Sequence, residues 1–264
     1  WYLGDGNAAC TPHNPNRFTL SLGAEKSAAY LTAIERALRQ ALGVRPIVER
    51  HRTYLHLHFH PLTFKLLLKH LGLFGKRAHE KRIPDLLFNA QPHVQQALLR
   101  GLIQSDGYIT VGRGQRPRVV VGYCTVSPRL TNGLVCLYRQ LGCLPLIVKR
   151  RCRSHTSGGV AFVSRRDRYD VMISTKEQLL NMQAIWSTHK DAARLRAYLT
   201  HSPKRPGRPG KDLRWLSPDA LMLKVTSVKP VRSRDRYVYD LVVPPHQTFV
   251  AGVPGFALHN TDGA

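Results

Sequence analysis

The sequence predicts a mixed α/β (α+β) protein made of two similar halves with a smaller β-rich part after them, and three observations predict it. The stretch LRQALGVRPIVER, Leu38–Arg50, returns as YRQLGCLPLIVKR at Tyr138–Arg150, so a unit of about one hundred residues occurs twice. Within each unit, apolar residues recur at helical spacing and then at the alternating spacing of strands. Finally, HSPKRPGRPGK, inside residues 201–213, interrupts the pattern as a basic Pro/Gly linker, and only short, polar-studded strands such as LKVTSVKPV and RYVYDLVV follow it.

Composition bounds the function. With 264 residues, of which 43% are apolar, the chain can build a sizeable core. It has no run of about 18 apolar residues and no basic-then-apolar leader, so a soluble, intracellular protein without a membrane partner is expected. Forty Lys and Arg against sixteen Asp and Glu give a formal charge of +24, spread from Arg17 to Arg236. That balance points to a polyanion, DNA or RNA. The five cysteines form no C-x-x-C pair, which argues against a zinc ribbon or a disulfide scaffold.

The first unit opens on WYLGDGN. At the offset of the repeat, Gly4-Asp5-Gly6 stands where the second unit has Ser105-Asp106-Gly107. Each acid closes an apolar helix, at the end that already carries partial negative charge and disfavours a carboxylate unless a cation joins it. Gly101 and Ser105 are spaced i, i+4, so one face of the second helix admits a close neighbour. If its duplicate packs there, Asp5 and Asp106 emerge side by side, a donor set suited to Mg²⁺ between protein oxygens and phosphates.

The next helix of the first unit carries the stripe Leu31, Ile34, Leu38, Leu42 and stops at Gly43. In TYLHLHFH, Leu55, Leu57 and Phe59 share one strand face and Tyr54, His56, His58 and His60 the other. Histidines so placed can bind metal, but nothing beside them in the sequence completes a ligand set. In the second unit Ser127 caps a helix, Pro128 starts it, and Leu130, Leu134, Leu137 and Leu141 lead to Gly142. The strand after it puts Lys149, Arg151 and Arg153 on one face. Both halves thus offer a polar sheet face over an apolar one, as expected of a sheet lying along a nucleic-acid groove. Tyr54, His56, His58, Lys149, Arg151 and Arg153 are the candidate DNA contacts.

LRGLIQSDG resembles the LAGLIDADG motif of homing endonucleases, and WYLGDG resembles the later part of it. EKRIPDLLFNAQPHVQQALLRGLIQSDGYIT, residues 80–110, is similar to the segment joining the two halves of intein-borne, two-motif members. The resemblance covers roughly residues 1–200. It implies a pseudosymmetric fold of two αββαββα halves, 1–96 (truncated at its start) and 97–200, acting as a monomer on double-stranded DNA. It implies that Asp5 and Asp106, with Gly4 and Ser105, hold Mg²⁺ while water attacks each strand. Two lysines are expected beside the acids. Lys81, in KRIP, matches the first. Lys190, in WSTHKDAARL, matches the second if a longer hairpin around Thr156–Gly159 takes up the extra spacing, and Lys176 is the fallback.

VYDLVVPPHQTFVAGVPGFALHNT resembles the C-terminal splicing region of inteins, so residues 214–260 are expected to be a β-rich partial Hint domain and 261–264 the start of a host extein protein. That resemblance implies cyclisation of Asn260 to cut the chain, with His259 polarising the carbonyl, His246 managing protons, Asp240 nearby in the motif, and Thr261 as the receiving nucleophile. Intact inteins begin with a Cys or Ser nucleophile and a Thr-x-x-His segment; this sequence starts at Trp1 without them, and splicing by this chain alone is not expected. Three functions follow: a Mg²⁺-dependent endonuclease, a splicing element whose nuclease is a passive DNA-binding insert, or an RNA-binding cofactor. Both aspartates favour the first, and the intein-like tail argues against the third.

Overall fold

Alternation and capping in the sequence become a duplicated sheet-and-helix layer in the computed structural model. The structure describes residues 1–201 except 9, 113–118, 152–153, 158–159 and 164–165, together with 213–217, 220–225, 227–230, 237, 241–245, 247–251 and 256–259. The chain divides into two units, Trp1–His201 and Ser202–Ala264.

In the first unit, strands β1 (Gly6–Ala8) and β2 (Phe18–Gly23) lead to helix α1 (Ala24–Leu42), strands β3 (Ile47–Arg50) and β4 (Tyr54–Phe59), and helix α2 (Leu62–His70). Two 3-10 turns, Ala78–Glu80 and Asp85–Asn89, then reach helix α3 (Pro92–Ser105). The pattern repeats in β5 (Gly107–Val111), β6 (Val119–Thr125), α4 (Pro128–Gln140) and β7 (Leu146–Arg150). A hairpin of β8 (Ser154–Ser157) and β9 (Val160–Val163) precedes β10 (Arg168–Ile173), α5 (Lys176–Asn181), α6 (Gln183–Trp186) and α7 (Ala192–His201). The antiparallel sheets run β1-β2-β4-β3 and β5-β6-β10-β7, the same order in both halves, with the β8–β9 hairpin as the second half's addition. Helix α3 begins at Pro92, the first-turn position where a missing N–H costs nothing, so a boundary after residue 96 falls inside this helix rather than between the halves.

The expected stripes face inward. Leu55, Leu57 and Phe59 of β4 are at most 2% exposed, under Tyr30, Ile34 and Leu38 of α1. Leu130, Leu134, Leu137 and Tyr138 of α4 cover Val121, Tyr123, Val171 and Ile173 of the second sheet. Each such side chain stabilises the fold by about 1.5–3 kcal/mol before the entropy of ordering it is counted. Ser127 Oγ accepts from Leu130 N–H at 3.1 Å and caps α4. Both α1 and α4 stop at a left-handed glycine, Gly43 (φ 66°) and Gly142 (φ 75°). These stops turn the chain back into β3 and β7.

The second unit contributes β11 (Leu213–Ser217) paired with β12 (Ala220–Leu223), and β13 (Thr248–Ala251) paired with β14 (Phe256–His259). Among the described residues no helix is long and apolar enough to cross a membrane.

Candidate active site between two acidic turns

Residues Trp1–Asp5 form a short helical turn, with Gly4 N–H on the Trp1 carbonyl at 3.1 Å and Gly6 N–H on the Tyr2 carbonyl at 3.2 Å. This turn packs on α3, where the Trp1 indole donates to Gln104 Oε1 at 3.2 Å. The two segments meet at Gly4 and Ser105: a Cβ on Gly4 would lie 2.1 Å from Ser105 Oγ, so only glycine allows the approach. Asp5 and Asp106 follow directly, and the structure brings them together. The Lys26 ammonium, from the first turn of α1, lies 3.0 Å from both Asp5 oxygens and 3.8 Å from Asp106 Oδ1. Burial, together with the charge of Asp106, holds the Asp5 carboxyl above its ordinary range despite Lys26. A cleft of about 290 Å³, lined by Leu3, Gly4, Tyr123 and Thr125, opens beside Asp106.

Lys81 is buried behind this pair. Its ammonium donates to the carbonyls of Tyr2 (3.1 Å), Gly4 (3.2 Å) and Gly6 (2.7 Å), gathering the acceptors at the end of the turn. Burial lowers its pKa, while Asp106 and Asp5 raise it. Ser127 Oγ donates to the Lys81 carbonyl at 2.6 Å, tying this lysine to the cap of α4. In the second half the matching position is held by His189. Its Nδ1 accepts from Asp191 N–H at 3.1 Å, which leaves Nε2 to donate to the backbone of Gly107, the counterpart of Gly6. Burial depresses its pKa, against the raising effect of Asp191 and of the Gly107 hydrogen bond.

Several expectations need correction. Lys190, expected beside the acids, pairs with Glu25 at 2.7 Å and Asp191 at 3.0 Å, not with Asp5 or Asp106. Its neighbour His189 is the inward-facing residue because only one of two adjacent loop side chains can turn to Gly107. Lys176 opens α5. The Ser105 hydroxyl donates to the Leu102 carbonyl at 2.9 Å inside the helix contact.

The sheet faces need correction too. His58 is 6% exposed, held under Thr19 (2.9 Å), Arg17 and Glu49 (2.8 Å), because β2 and β3 flank it on both sides. Tyr54 and His56 remain accessible on that face. In the second half Lys149 lies opposite Tyr169 and shares its sheet face with Ile147 and the buried Val171, but on the edge strand its side chain stays exposed, paired with Asp167 at 3.0 Å. Arg150 and Arg168 occupy the open face, both ion-paired with Asp170. The difference is a single residue of register, which reverses every side chain in a strand. Arg151 is exposed just past β7.

Arg153, His246, Asn260, Thr261 and Asp240 lie outside the described residues. His259 ends β14 opposite Thr248.

Sequence reasoning missed Lys26, His189, Arg150, Arg168 and Glu49. The signal for His189 was its adjacency to Lys190 in THKD. Lys26 carries no motif and is recognisable only from where α1 begins.

Residues 93–186 match the family model described as a LAGLIDADG-like domain. The chain is 30% identical over 148 residues to a replicative DNA helicase DnaB of Rhodothermus marinus, covering 55% of this chain and 15% of the relative. It is 28% identical over 198 residues to a DNA polymerase of Thermococcus hydrothermalis, covering 72% and 11%. With the homothallic switching endonuclease of Saccharomyces cerevisiae it shares 33% identity over 81 residues, 30% of this chain and 14% of that protein. The chain therefore spans 15% or less of these curated relatives. Among solved structures it is similar to mesophilic variants of the homing endonuclease I-DmoI, at 14% identity and a TM-score of 0.46, covering 72% of this chain and 92% of that one. A complex of I-DmoI with DNA and Mn gives 13% identity and a TM-score of 0.40 over 66% and 82%.

Proposed function

We propose that this chain is a site-specific, Mg²⁺-dependent DNA endonuclease of the two-motif LAGLIDADG kind. The observation that carries the reading is the meeting of Asp5 and Asp106 at the Gly4–Ser105 contact, with one ammonium spanning both carboxylates. Two carboxylates this close, one with a raised pKa, are hard oxygen donors that lack sufficient positive charge, which fits a divalent ion. Asp5 and Asp106 would hold it, aided by the Gly4 carbonyl. Bound there, the ion would activate water and stabilise charge developing on a phosphate. Lys81 and His189 fix the carbonyls that follow each acid and so position the two carboxylates, one in each half. Arg150, Arg168, Tyr54 and His56 face the groove of their sheets and supply contacts to double-stranded DNA.

We further propose that residues 214–260 belong to a Hint splicing domain, with Asn260, His259, His246 and Thr261 in the roles given above, 261–264 as the host extein, and the nuclease acting as a monomer. The resemblance of VYDLVVPPHQTF to intein termini supports this. So do Val225 (74%), Val242 (77%) and Val250 (73%), exposed apolar side chains among the described residues of this β-rich segment.

One observation favours the second reading, a passive DNA-binding insert: the Lys26 ammonium pairs with both acids where an ion would sit. A plasmid carrying the uninterrupted host gene separates the two. The endonuclease reading expects Mg²⁺-dependent linearisation that disappears in Asp106→Asn; retention of duplex with no cutting at any Mg²⁺ concentration favours the passive insert.

A further inference from the structure

The polar face of the first sheet holds a second cluster, far in chemistry from the acidic turns. Antiparallel pairing sets Glu49 of β3 directly opposite His56 of β4. His51 follows β3 and closes the hairpin through its N–H on the Tyr54 carbonyl at 2.9 Å, which stacks its ring on Tyr54 at 4.4 Å and brings it 5.3 Å from the His56 ring. One donor atom from each of Glu49, His51 and His56 lies within 4.8 Å of the others. Glu49 Oε1 is already 3.2 Å from His51 Nε2.

We infer that Glu49, His51 and His56 form a binding site for a divalent ion of the later first transition series, with Zn²⁺ as the representative. A tetrahedral ion with bonds of about 2.0–2.1 Å sets its donors roughly 3.4 Å apart, so the exposed His51 needs only a small closing rotation. Two imidazoles and one carboxylate select Zn²⁺, Co²⁺ or Ni²⁺ over Mg²⁺, which prefers oxygen alone. The other oxygen of Glu49 is 2.8 Å from His58 Nε2, and His58 is itself held by Thr19 Oγ1 at 2.9 Å and by Arg17. This buried imidazole orients the carboxylate from behind, as outer partners orient metal ligands elsewhere. Glu49 adds the negative charge that favours a cation in so basic a chain.

The inference does not depend on the endonuclease reading. It is tested on the full chain by calorimetric titration of Zn²⁺ with Mg²⁺ in excess, and by Co²⁺ absorption. One equivalent of Zn²⁺ is expected, weakened about tenfold or more by Glu49→Gln and by His51→Ala, and unchanged in Asp106→Asn. Co²⁺ is expected to show weak visible bands without the intense near-ultraviolet band of a thiolate ligand. His51 and Glu49 are exposed, so both variants keep the fold, which a melting curve checks. Zn²⁺ binding that is unchanged in both variants, a thiolate signature, or no binding heat overturns the inference.

Discussion

Asp5 is an acid that burial and a neighbouring carboxylate hold above its ordinary pKa. It is 12% exposed in its side chain, faces a second carboxylate, and is paired directly with the Lys26 ammonium. An acid with a raised folded-state pKa holds its proton more tightly folded than unfolded. Stability is therefore lost as pH rises from the ordinary aspartate value of 3.8 through the raised one, and the loss persists at neutral pH. Asp5→Asn is expected to raise the apo protein's Tm at pH 7 by about 2–4 °C, the equivalent of ~1 kcal/mol in a domain of this size, with no difference below pH 3. The same substitution removes the stabilisation by Mg²⁺ expected of the parent; calorimetry over a pH series reads both. His189 gives a second expectation at this scale. If it positions the second half's acid as Lys81 positions the first, His189→Ala slows the cutting of one strand more than the other. Nicked plasmid then accumulates before linear product, whereas equal slowing of both strands would assign His189 a purely structural part.

Among the elements, the informative contact is the crossing of the Trp1–Asp5 turn with α3. Gly4 and Ser105 are counterparts across the repeat, one without a side chain and one with a hydroxyl buried to 0% exposure. A side chain added at Gly4 meets Ser105 Oγ at 2.1 Å and separates the two acids. Gly4→Ser is expected to cost about 1–3 kcal/mol by overpacking and to abolish Mg²⁺-dependent cutting. The swapped double variant Gly4→Ser with Ser105→Gly restores the small-against-large arrangement and recovers most of both. Additive losses in a double-mutant cycle, measured by denaturant melts, would show that the contact is not shared in this way.

For the whole molecule, charge dominates. A chain of formal charge +24 that lies on a duplex releases many counterions. Raising salt from 50 to 200 mM is expected to weaken duplex binding by about 10³-fold or more, measured by fluorescence anisotropy with specific and unrelated duplexes. A flat salt response would place the basic residues away from nucleic acid. The order β1-β2-β4-β3, kept as β5-β6-β10-β7 despite an inserted hairpin, is what lets two acidic turns meet at one seam. One fold unit alone would present a single carboxylate.

The sequence by itself determined the duplication, the inward stripes of α1 and α4, their caps and glycine stops, and the equivalence of Asp5 with Asp106. All of these are local patterns or periodicities that a chain carries wherever it folds. Tertiary structure decided the rest. Lys26 reaches the acids only because α1 starts under them, and His189 rather than Lys190 turns to Gly107 because the loop admits one. Arg150 replaces Lys149 on the open face because strand register is fixed by pairing with β10, and Glu49 meets His51 and His56 only across a hairpin. Side-chain direction and cross-strand partners depend on contacts between distant segments, which spacing along one chain does not contain.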